Sequence, residues 1–426
     1  MAQGPLPGFR DFYPPEFADR AFIMHAWRDV ARRYAFVEYD GPPLEPLDLY
    51  TKKSGEEIVG QLYNFTDKGG REVALRPEMT PTFARMVGAR ANALRKPVRW
   101  FSTPQLFRYE RQQKGRLREH FQLNVDLVGE ADVSADAEVL AVAIDIMRAV
   151  GLGAEDVRAR VSDRRLLNAL LTHAGVDDDQ LAVAYAVADK LEREPREQSA
   201  RRLADAGLSP KAVERFFSIV RPTSVEELQA AFGADPRIAE RLEPMARYFG
   251  ALEALGVRDW VELDLSIVRG LAYYTGIVFE LFDRRGDFRA ICGGGRYDTL
   301  LSSLGGADLP ALGFGMGDVV LGELLRARGL MPSSAPRIDY WVAGDGEGGP
   351  ADVMRVASAL RARGRSVEYA LRAQTLSRQL KAASAAGAEQ AVILRAADAG
   401  RGVAVVKRLA DGFEASVTLA EWLPSA

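Results

Sequence analysis

The 426-residue chain holds a single cysteine, Cys292, and only three histidines, His25, His120 and His173. That inventory excludes a disulfide, a zinc finger and a thiolate-held cluster. A surplus of one charge sign is also missing: 56 basic residues stand against 59 acidic ones, a formal net charge of −3. No whole-molecule positive field draws in a nucleic acid, so any RNA contact has to rest on local patches. Long apolar runs are absent too. Stretches such as 139–144 are far too short to cross a bilayer, and the start, MAQGPLPGFRDFYPPEF, has no apolar stretch behind a basic one. Neither a membrane span nor an export signal is expected, and the lone thiol fits a reducing, cytoplasmic setting. What remains is ordinary globular composition, 47% hydrophobic and 27% charged, over a length that suits two or three domains.

Apolar spacing predicts an amphipathic helix over 15–36, carried by Phe17, Phe22, Trp27, Val30 and Tyr34. A Pro-rich turn follows at 41–46. Strands are expected at 62–65, 72–75, 98–101 and 122–128, with a helix over 80–93 among them. A further helix is expected over 134–150, capped by Ser134, and a short strand at 157–161. From 163 to 255 the chain is rich in Ala, Leu, Arg and Glu and reads as short helices, an insertion or a helical subdomain. Strands resume at 261–267 and 276–282. The segment MPSSAPR at 331–337 has a linker's composition. Beyond it, strands at 338–343, 367–371 and 390–394 alternate with helices at 350–363 and 374–386, the pattern of a small α/β domain.

Five stretches carry polar chemistry. Between 108 and 118 five cations (Arg108, Arg111, Lys114, Arg116 and Arg118) face one acid, Glu110. A hairpin tip of this kind grips a polyphosphate through planar guanidinium forks, or is simply a solvated loop. SIVRGLAYYT at 266–275 sets Arg269 at the end of an apolar strand beside Tyr273 and Tyr274. Adjacent tyrosines on a strand face opposite ways, so one of them at most lines a given pocket. Gly293, Gly294 and Gly295 let a backbone approach a ligand, or make a plain turn before a helix. In LRPEMT at 75–80, Thr80 serves as the cap of the following helix, while Glu78 is left as a first-turn acid or a ligand group. Gln122, Asn124 and Asp126 share one strand face, either wet or lining a polar site. His25 reads as a structural residue of the first helix, His173 as a surface helix residue and Cys292 as a small buried apolar one.

Taken together and in order, these stretches resemble the histidyl-tRNA synthetases, a class II aminoacyl-tRNA synthetase family. The resemblance spans the whole chain. GFRDFYP and the helix-then-proline element ending at Pro42 are similar to the first class motif, and FRYERQQKGRLREHFQ to the second. VRGLAYYTG and CGGGRYD are similar to the two blocks peculiar to the histidine enzymes. The fold so implied is a mixed antiparallel sheet with flanking helices, a helical insertion and a C-terminal α/β anticodon-binding domain. The domains would be a catalytic core at 1–162 and 256–330, the insertion at 163–255, a linker at 331–337 and the anticodon domain at 338–426. That last part carries 12 basic and 10 acidic residues from 336 onward, +2 against −3 for the whole chain.

The activity implied is the joining of L-histidine to tRNA-His with ATP and Mg²⁺. Histidyl-adenylate and pyrophosphate form first, and a homodimer is implied, with the first helix and the Pro42 segment at its interface. By resemblance, Arg108 binds the α-phosphate and orients the histidine carboxylate, which Arg269 bridges from the other side. Glu110 sits near the adenine, Arg116 near the outer phosphates, and His120 where an aromatic ring stacks on the base. Glu78, Met79, Thr80 and Gln122 surround the substrate ammonium. Asp126 and Tyr274 read the imidazole, with Tyr273 close by. Gly293, Gly294 and Gly295 let the backbone pass close to the adenylate, and Arg296 completes the ATP contacts. Fixed cations are what an in-line displacement at phosphorus requires.

Three departures from the family pattern stand out. Val320 replaces an arginine that meets the γ-phosphate, Ala272 replaces an aspartate, and His120 replaces an aromatic. A subset of the family, plant organellar members among it, is similar at the first two. The other reading is a catalytically silent paralogue that serves as a regulatory subunit in histidine biosynthesis. Such paralogues lack the arginine block and the last domain, both present here.

Overall fold

Where the apolar spacing predicts the first helix, the computed structural model has one at Pro14–Arg33, with Trp27 and Val30 fully buried. Phe17, expected on its inner face, is half exposed. The structure describes residues 4–51, 59–110, 115–191, 194–268, 274–304, 306–332, 337–345, 350–395 and 401–423. Arg269 and Tyr273 lie outside the described residues, as do Ala272, Arg111, Lys114 and positions 333–336 of the linker.

Residues 1–11 and 19–332 form one compact unit, and residues 12–18 and 333–426 a second. The first is built on two sheets. The small one orders β2 (Leu44–Pro46), β4 (Glu72–Leu75) and β3 (Asn64–Thr66) side by side, with β1 (Val37–Glu38) belonging to the large sheet. That sheet continues through β5 (Val98–Ser102), β6 (Gln105–Phe107), β7 (Glu119–Val128), β8 (Val157–Asp163), β9 (Pro222–Thr223), β10 (Val261–Asp264), β11 (Ile277–Asp283), β12 (Cys292–Arg296) and β13 (Ala311–Gly317). Its order is β1-β5-β7-β13-β12-β11-β8-β10-β9, with β6 folded onto β7. Pairing is antiparallel except at β1–β5 and β8–β10, a mixed sheet.

The period of two splits this sheet into two faces. Leu123, Val125 and Leu127 of β7, Phe314 and Met316 of β13, and Phe279 and Leu281 of β11 face inward to one apolar core. The core includes Val139, Leu140 and Ile144 of the helix Val133–Ala149. Asp132, not Ser134, caps that helix: its carboxylate accepts from the Ser134 N–H at 2.9 Å. A carboxylate at the N-terminus suits the helix dipole better than a hydroxyl. Among its described residues the stretch 163–255 forms six helices, from Arg164–Ala174 to Pro236–Ala254, as its composition suggests. Leu166, Leu170, Phe216 and Tyr248 from it join the same core as the sheet.

The glycine run overturns the expectation of a turn. Gly293 to Gly295 lie inside β12, hydrogen-bonded to β11 on one side and β13 on the other. Strand propensity argues against glycine, but pairing along both edges fixes the backbone that the side chains cannot. Helix Thr80–Arg90 starts one residue earlier than a Thr80 cap requires. Met79 holds the cap position without a side-chain cap bond, and Pro81 sits in the first turn.

The second unit carries a sheet ordered β15-β14-β16-β17-β18. The alternation accounts for β14 (Ile338–Gly344), β15 (Val367–Tyr369) and β16 (Ala388–Leu394), all parallel, with helices Pro350–Ala362 and Leu376–Ala385. Strands β17 (Val403–Arg408) and β18 (Glu414–Thr418) extend it as an antiparallel hairpin absent from the sequence reading. Asp411–Gly412 between them, with Gly412 at φ +75, is the turn signal that marks it. No helix among the described residues is long and apolar enough to cross a membrane.

A candidate active site on a glycine-floored sheet face

On the outward face of the large sheet, β7 presents His120, Gln122, Asn124 and Asp126 in a row. Its neighbour β13 answers with glycine at each matching position: Gly313 pairs with Asp126, Gly315 with Asn124 and Gly317 with Gln122. Beyond it β12 adds Gly293 and Gly295, opposite Gly315 and Gly313. Side chains return on β11, where Glu280 and Val278 face Gly293 and Gly295. The result is a trough whose floor is bare backbone and whose walls are β7 and β11.

The floor has to be bare because the β7 side chains lean across it. A Cβ at Gly315 would lie 2.8–3.0 Å from the Gln122 amide, and one at Gly313 would strike the Asp126 carboxylate. A Cβ at Gly295 would lie 2.6 Å from Ile277 O, 2.7 Å from Val278 Cγ1 and 3.0 Å from Tyr274 Cδ1. Gly294 belongs to the other face, against Phe314 in the core. Of the three glycines expected to border the adenylate, Gly293 and Gly295 lie on the trough face and Gly294 on the core face.

Asp126 is 2% exposed and accepts a short hydrogen bond from the Tyr297 hydroxyl. Its other oxygen, Oδ2, has no hydrogen-bond partner among the described residues, nor does Asn124 Oδ1. A buried acceptor left open in this way is costly unless a ligand N–H fills it. Burial pushes the Asp126 carboxyl up to about 7, against the lowering effect of Tyr297. Tyr297 stands two residues past the glycine run, yet the sequence reading gave it no role. The signal was its place one residue past the strand, buried at 2% with a hydroxyl to satisfy.

The loop at 76–80 closes one end of the trough. Arg76 stitches it down with bonds to Asp40 (2.6 Å), Gly41 O (2.8 Å) and Gln105 O (3.0 Å). Arg108 Nε donates to Pro77 O at 2.9 Å, so the hairpin arginine and the Glu78 loop are one assembly. Glu78 and Thr80 are buried at 5% and 8%. Met79 is wholly buried, with its Cε and Sδ against Gly41 and Arg76. Tyr274, at 8% exposure, packs over Gly295.

Strands β6 and β7 form the hairpin expected of the basic stretch, with Phe107 opposite Glu119. At its tip Glu110 pairs with Arg116 at 3.0 Å and lies 3.9 Å from Arg108. His120 is held neutral: burial first, then the cations of Arg108 and Arg10, press it down to about 3. Arg10, from the GFRDFYP segment, is a residue the sequence reading left without a role. It bridges Glu119 at 2.6 Å and Asp318 at 2.9 Å, and Asp318 also accepts from the Phe121 N–H.

Arg296 does not meet the expectation of an ATP contact. It is 4% exposed, and its guanidinium is engaged by Asp136, by Asp298 at 3.2 Å and by the carbonyls of Glu130 and Asp132. It is a strut between β12 and the helix Val133–Ala149. His25, read as a structural residue of the first helix, is exposed on that helix and pairs with Asp29 at 2.9 Å. His173 pairs with Asp235 on a helix surface, and Cys292 is buried, as expected. Beyond Glu280 the trough opens into a cavity of about 960 Å³ bordered by Arg116, Arg160, Phe282, Arg289 and Val320. The arrangement offers acceptors for an ammonium and a ring N–H at one end and fixed cations for phosphate at the other.

A family model described as Histidyl-tRNA synthetase matches residues 8–317. The chain is 46% identical over 394 residues to a histidine–tRNA ligase of Opitutus terrae, covering 91% of this chain and 90% of the other. It is 38% identical over 417 residues to a chloroplastic/mitochondrial histidine–tRNA ligase of Arabidopsis thaliana, covering 98% and 85%. Among solved structures, a histidyl-tRNA synthetase from Nostoc superposes with a TM-score of 0.84 at 22% identity, over 99% and 98% of the two chains. A Bacillus halodurans chain described as an ATP phosphoribosyltransferase regulatory subunit/histidyl-tRNA synthetase gives 0.75 at 24% identity, over 93% and 98%. At these identities the structural likenesses carry the fold alone.

Proposed function

The chain belongs to the histidyl-tRNA synthetase family, and from that premise we propose how its own residues perform the family's reaction. It is a histidine–tRNA ligase whose substrates are histidine, ATP and tRNA. Relatives 38–46% identical over nearly the whole chain favour the ligase over the regulatory reading. In the first step the histidine carboxylate displaces pyrophosphate from the α-phosphorus of ATP. In the second, the acyl group passes to the terminal ribose of tRNA-His.

Asp126 takes the imidazole N–H through Oδ2, and Tyr274 closes over the ring. The open, buried Oδ2 of Asp126, on the strand face that borders the glycine floor, is the observation that carries this reading. Glu78, Thr80 and Gln122 hold the ammonium, with Met79 packed behind them. Arg108, tethered to Pro77, binds the α-phosphate and orients the carboxylate. Arg269 and Tyr273 complete the site from a segment beyond the described residues. Glu110 and the neutral His120 border the adenine, and Arg116 the outer phosphates. Gly293 and Gly295 let the adenylate lie flat on the sheet.

Among the described residues no three His, Cys, Asp or Glu side chains converge to cage a metal. Mg²⁺ carried in by ATP needs no cage, since it takes phosphate oxygens, waters and one or two carboxylates, and it supplies charge neutralisation at the phosphates. Glu262 and Glu280 on the cavity wall would meet it. The exposed apolar Val37 and Leu44, near Pro42, support a homodimer through that segment. The single free thiol supports a cytoplasmic setting. The C-terminal unit takes the anticodon. The test is exchange of labelled pyrophosphate into ATP, run with each of the twenty amino acids. Exchange with histidine alone is expected, and exchange with another amino acid but not histidine overturns the reading.

A further inference from the structure

Two hairpins line the large cavity. The β6–β7 hairpin brings Gly115 and Arg116, and the β11–β12 hairpin brings Arg284, Arg285 and Arg289. A Cβ placed at Gly115 would lie 3.4 Å from Val320 Cγ2 and 3.9 Å from Arg289 Cδ. Val320 and Arg289 therefore flank the same glycine from different elements. Val320 is the position where the sequence departs from the resembled pattern by losing a cation.

The cavity wall is positive within a chain of net charge −3. Six arginines line it, at 116, 158, 160, 284, 285 and 289, against three acids, Glu262, Glu280 and Asp283, a balance of +3. Much of the deeper charge is already committed to the fold. Arg160 pairs with Asp264 at 3.0 Å, Arg158 donates to Asp259 O at 2.8 Å, and Asp283 is held by Arg328. At the rim, the Arg284 and Arg285 side chains make no ion pair among the described residues. A cavity of this size and sign, continuous with the trough that takes the α-phosphate, fits a compact polyanion.

We propose that the β11–β12 hairpin, through Arg289, binds the pyrophosphoryl group: the β- and γ-phosphates of bound ATP and, after the first step, the pyrophosphate. This rests on the adenylation reading above and adds to it a cation-bearing element outside the class motifs. Arg289 replaces from β11–β12 the charge that Val320 withholds, and Arg116 lines the same cavity. A tRNA backbone phosphate is the competing ligand with the same chemistry.

The test uses the full chain. Inorganic pyrophosphate is titrated into wild type and Arg289→Ala by calorimetry, and the KM values for ATP, histidine and tRNA are measured in parallel. Arg289→Ala is expected to weaken pyrophosphate binding about tenfold or more, the scale of one charge-assisted hydrogen bond. The KM for ATP rises by a similar factor while that for histidine stays put. Val320→Arg, added to Arg289→Ala, restores much of the loss because it returns a guanidinium to the same glycine. Arg289 is exposed, and a thermal melt of Arg289→Ala separates lost binding from lost folding. Unchanged pyrophosphate binding in Arg289→Ala overturns the proposal, as does a rise confined to the KM for tRNA. Wild-type protein that binds pyrophosphate through Arg289 yet shows no histidine-dependent exchange would sink the activity reading and leave this site standing.

Discussion

The Tyr297 hydroxyl donates its hydrogen bond to Asp126, a residue 171 positions earlier in the chain. Both are buried to 2% exposure, so neither group has water to fall back on. The bond fixes Oδ1, the oxygen that lies against Gly313, and leaves Oδ2 without a hydrogen-bond partner among the described residues. It converts a strand-face acid, ambiguous in sequence, into an acceptor of set direction.

Tyr297→Phe should therefore loosen histidine recognition without disturbing ATP. Losing the donor removes the one hydrogen bond that offsets the desolvation of Asp126. A rise of about tenfold in the KM for histidine is expected, matching a hydrogen bond to a charged group. Steady-state exchange with ATP and histidine varied separately measures it, and equal rises in both KM values would contradict the assigned role.

Acid–base behaviour gives a second expectation. Burial holds Asp126 at about 7, above the 3.8 of an unperturbed aspartate. The folded state thus binds the proton more tightly than the unfolded one, and stability falls as pH rises from about 4 through 7. Asp126→Asn cannot ionise and escapes that loss. Its melting temperature should exceed that of wild type at pH 8.5 and come close to it at pH 5. Thermal melts of both proteins at the two pH values decide the matter. A gain that is larger at pH 5 would contradict the sign.

Much of this site could be read before any coordinates. The shared face of Gln122, Asn124 and Asp126 follows from a period of two, and the basic hairpin from its strand–loop–strand pattern. The glycine strand could not be read. Gly293 to Gly295 carry no side chains whose periodicity marks a strand, and only the edges of β11 and β13 make one of them. Long-range partners were equally hidden: Arg10 reaches Asp318, and Arg296 reaches Asp136, across distances that no local pattern encodes. For Arg296 the failure has a plain cause. An arginine beside glycines suggests phosphate, but the buried acid that claims it lies 160 residues away.

Arg296→Ala should accordingly cost stability and spare ATP binding. Arg296 and Asp136 are exposed by only 5% and 3%, and removing one member leaves the other buried and unpaired. A loss of about 3–5 kcal/mol is expected from such a truncation. Denaturant unfolding measures it. Replacing both partners by apolar residues, as in Arg296→Met with Asp136→Leu, should recover part of the loss. In protein that remains folded the KM for ATP stays near the wild-type value, and a large rise there would return Arg296 to the phosphate site.

The glycine floor separates binding from folding most sharply. At Gly315 the atoms that an added methyl meets are the end of the Gln122 side chain, at 2.8–3.0 Å, and a flexible amide can rotate away. At Gly295 they include the Ile277 carbonyl at 2.6 Å and Val278 Cγ1 at 2.7 Å, neither of which can move without shifting β11. Gly315→Ala should thus fold with nearly wild-type stability while displacing Gln122 from the ammonium, raising the KM for histidine. Gly295→Ala should lose about 1–3 kcal/mol, the usual cost of overpacking a closed site. Unfolding curves and exchange kinetics on the pair give two independent readouts. If Gly315→Ala proved the less stable of the two, or left histidine binding untouched, Gln122 would not lie across the floor as the geometry requires.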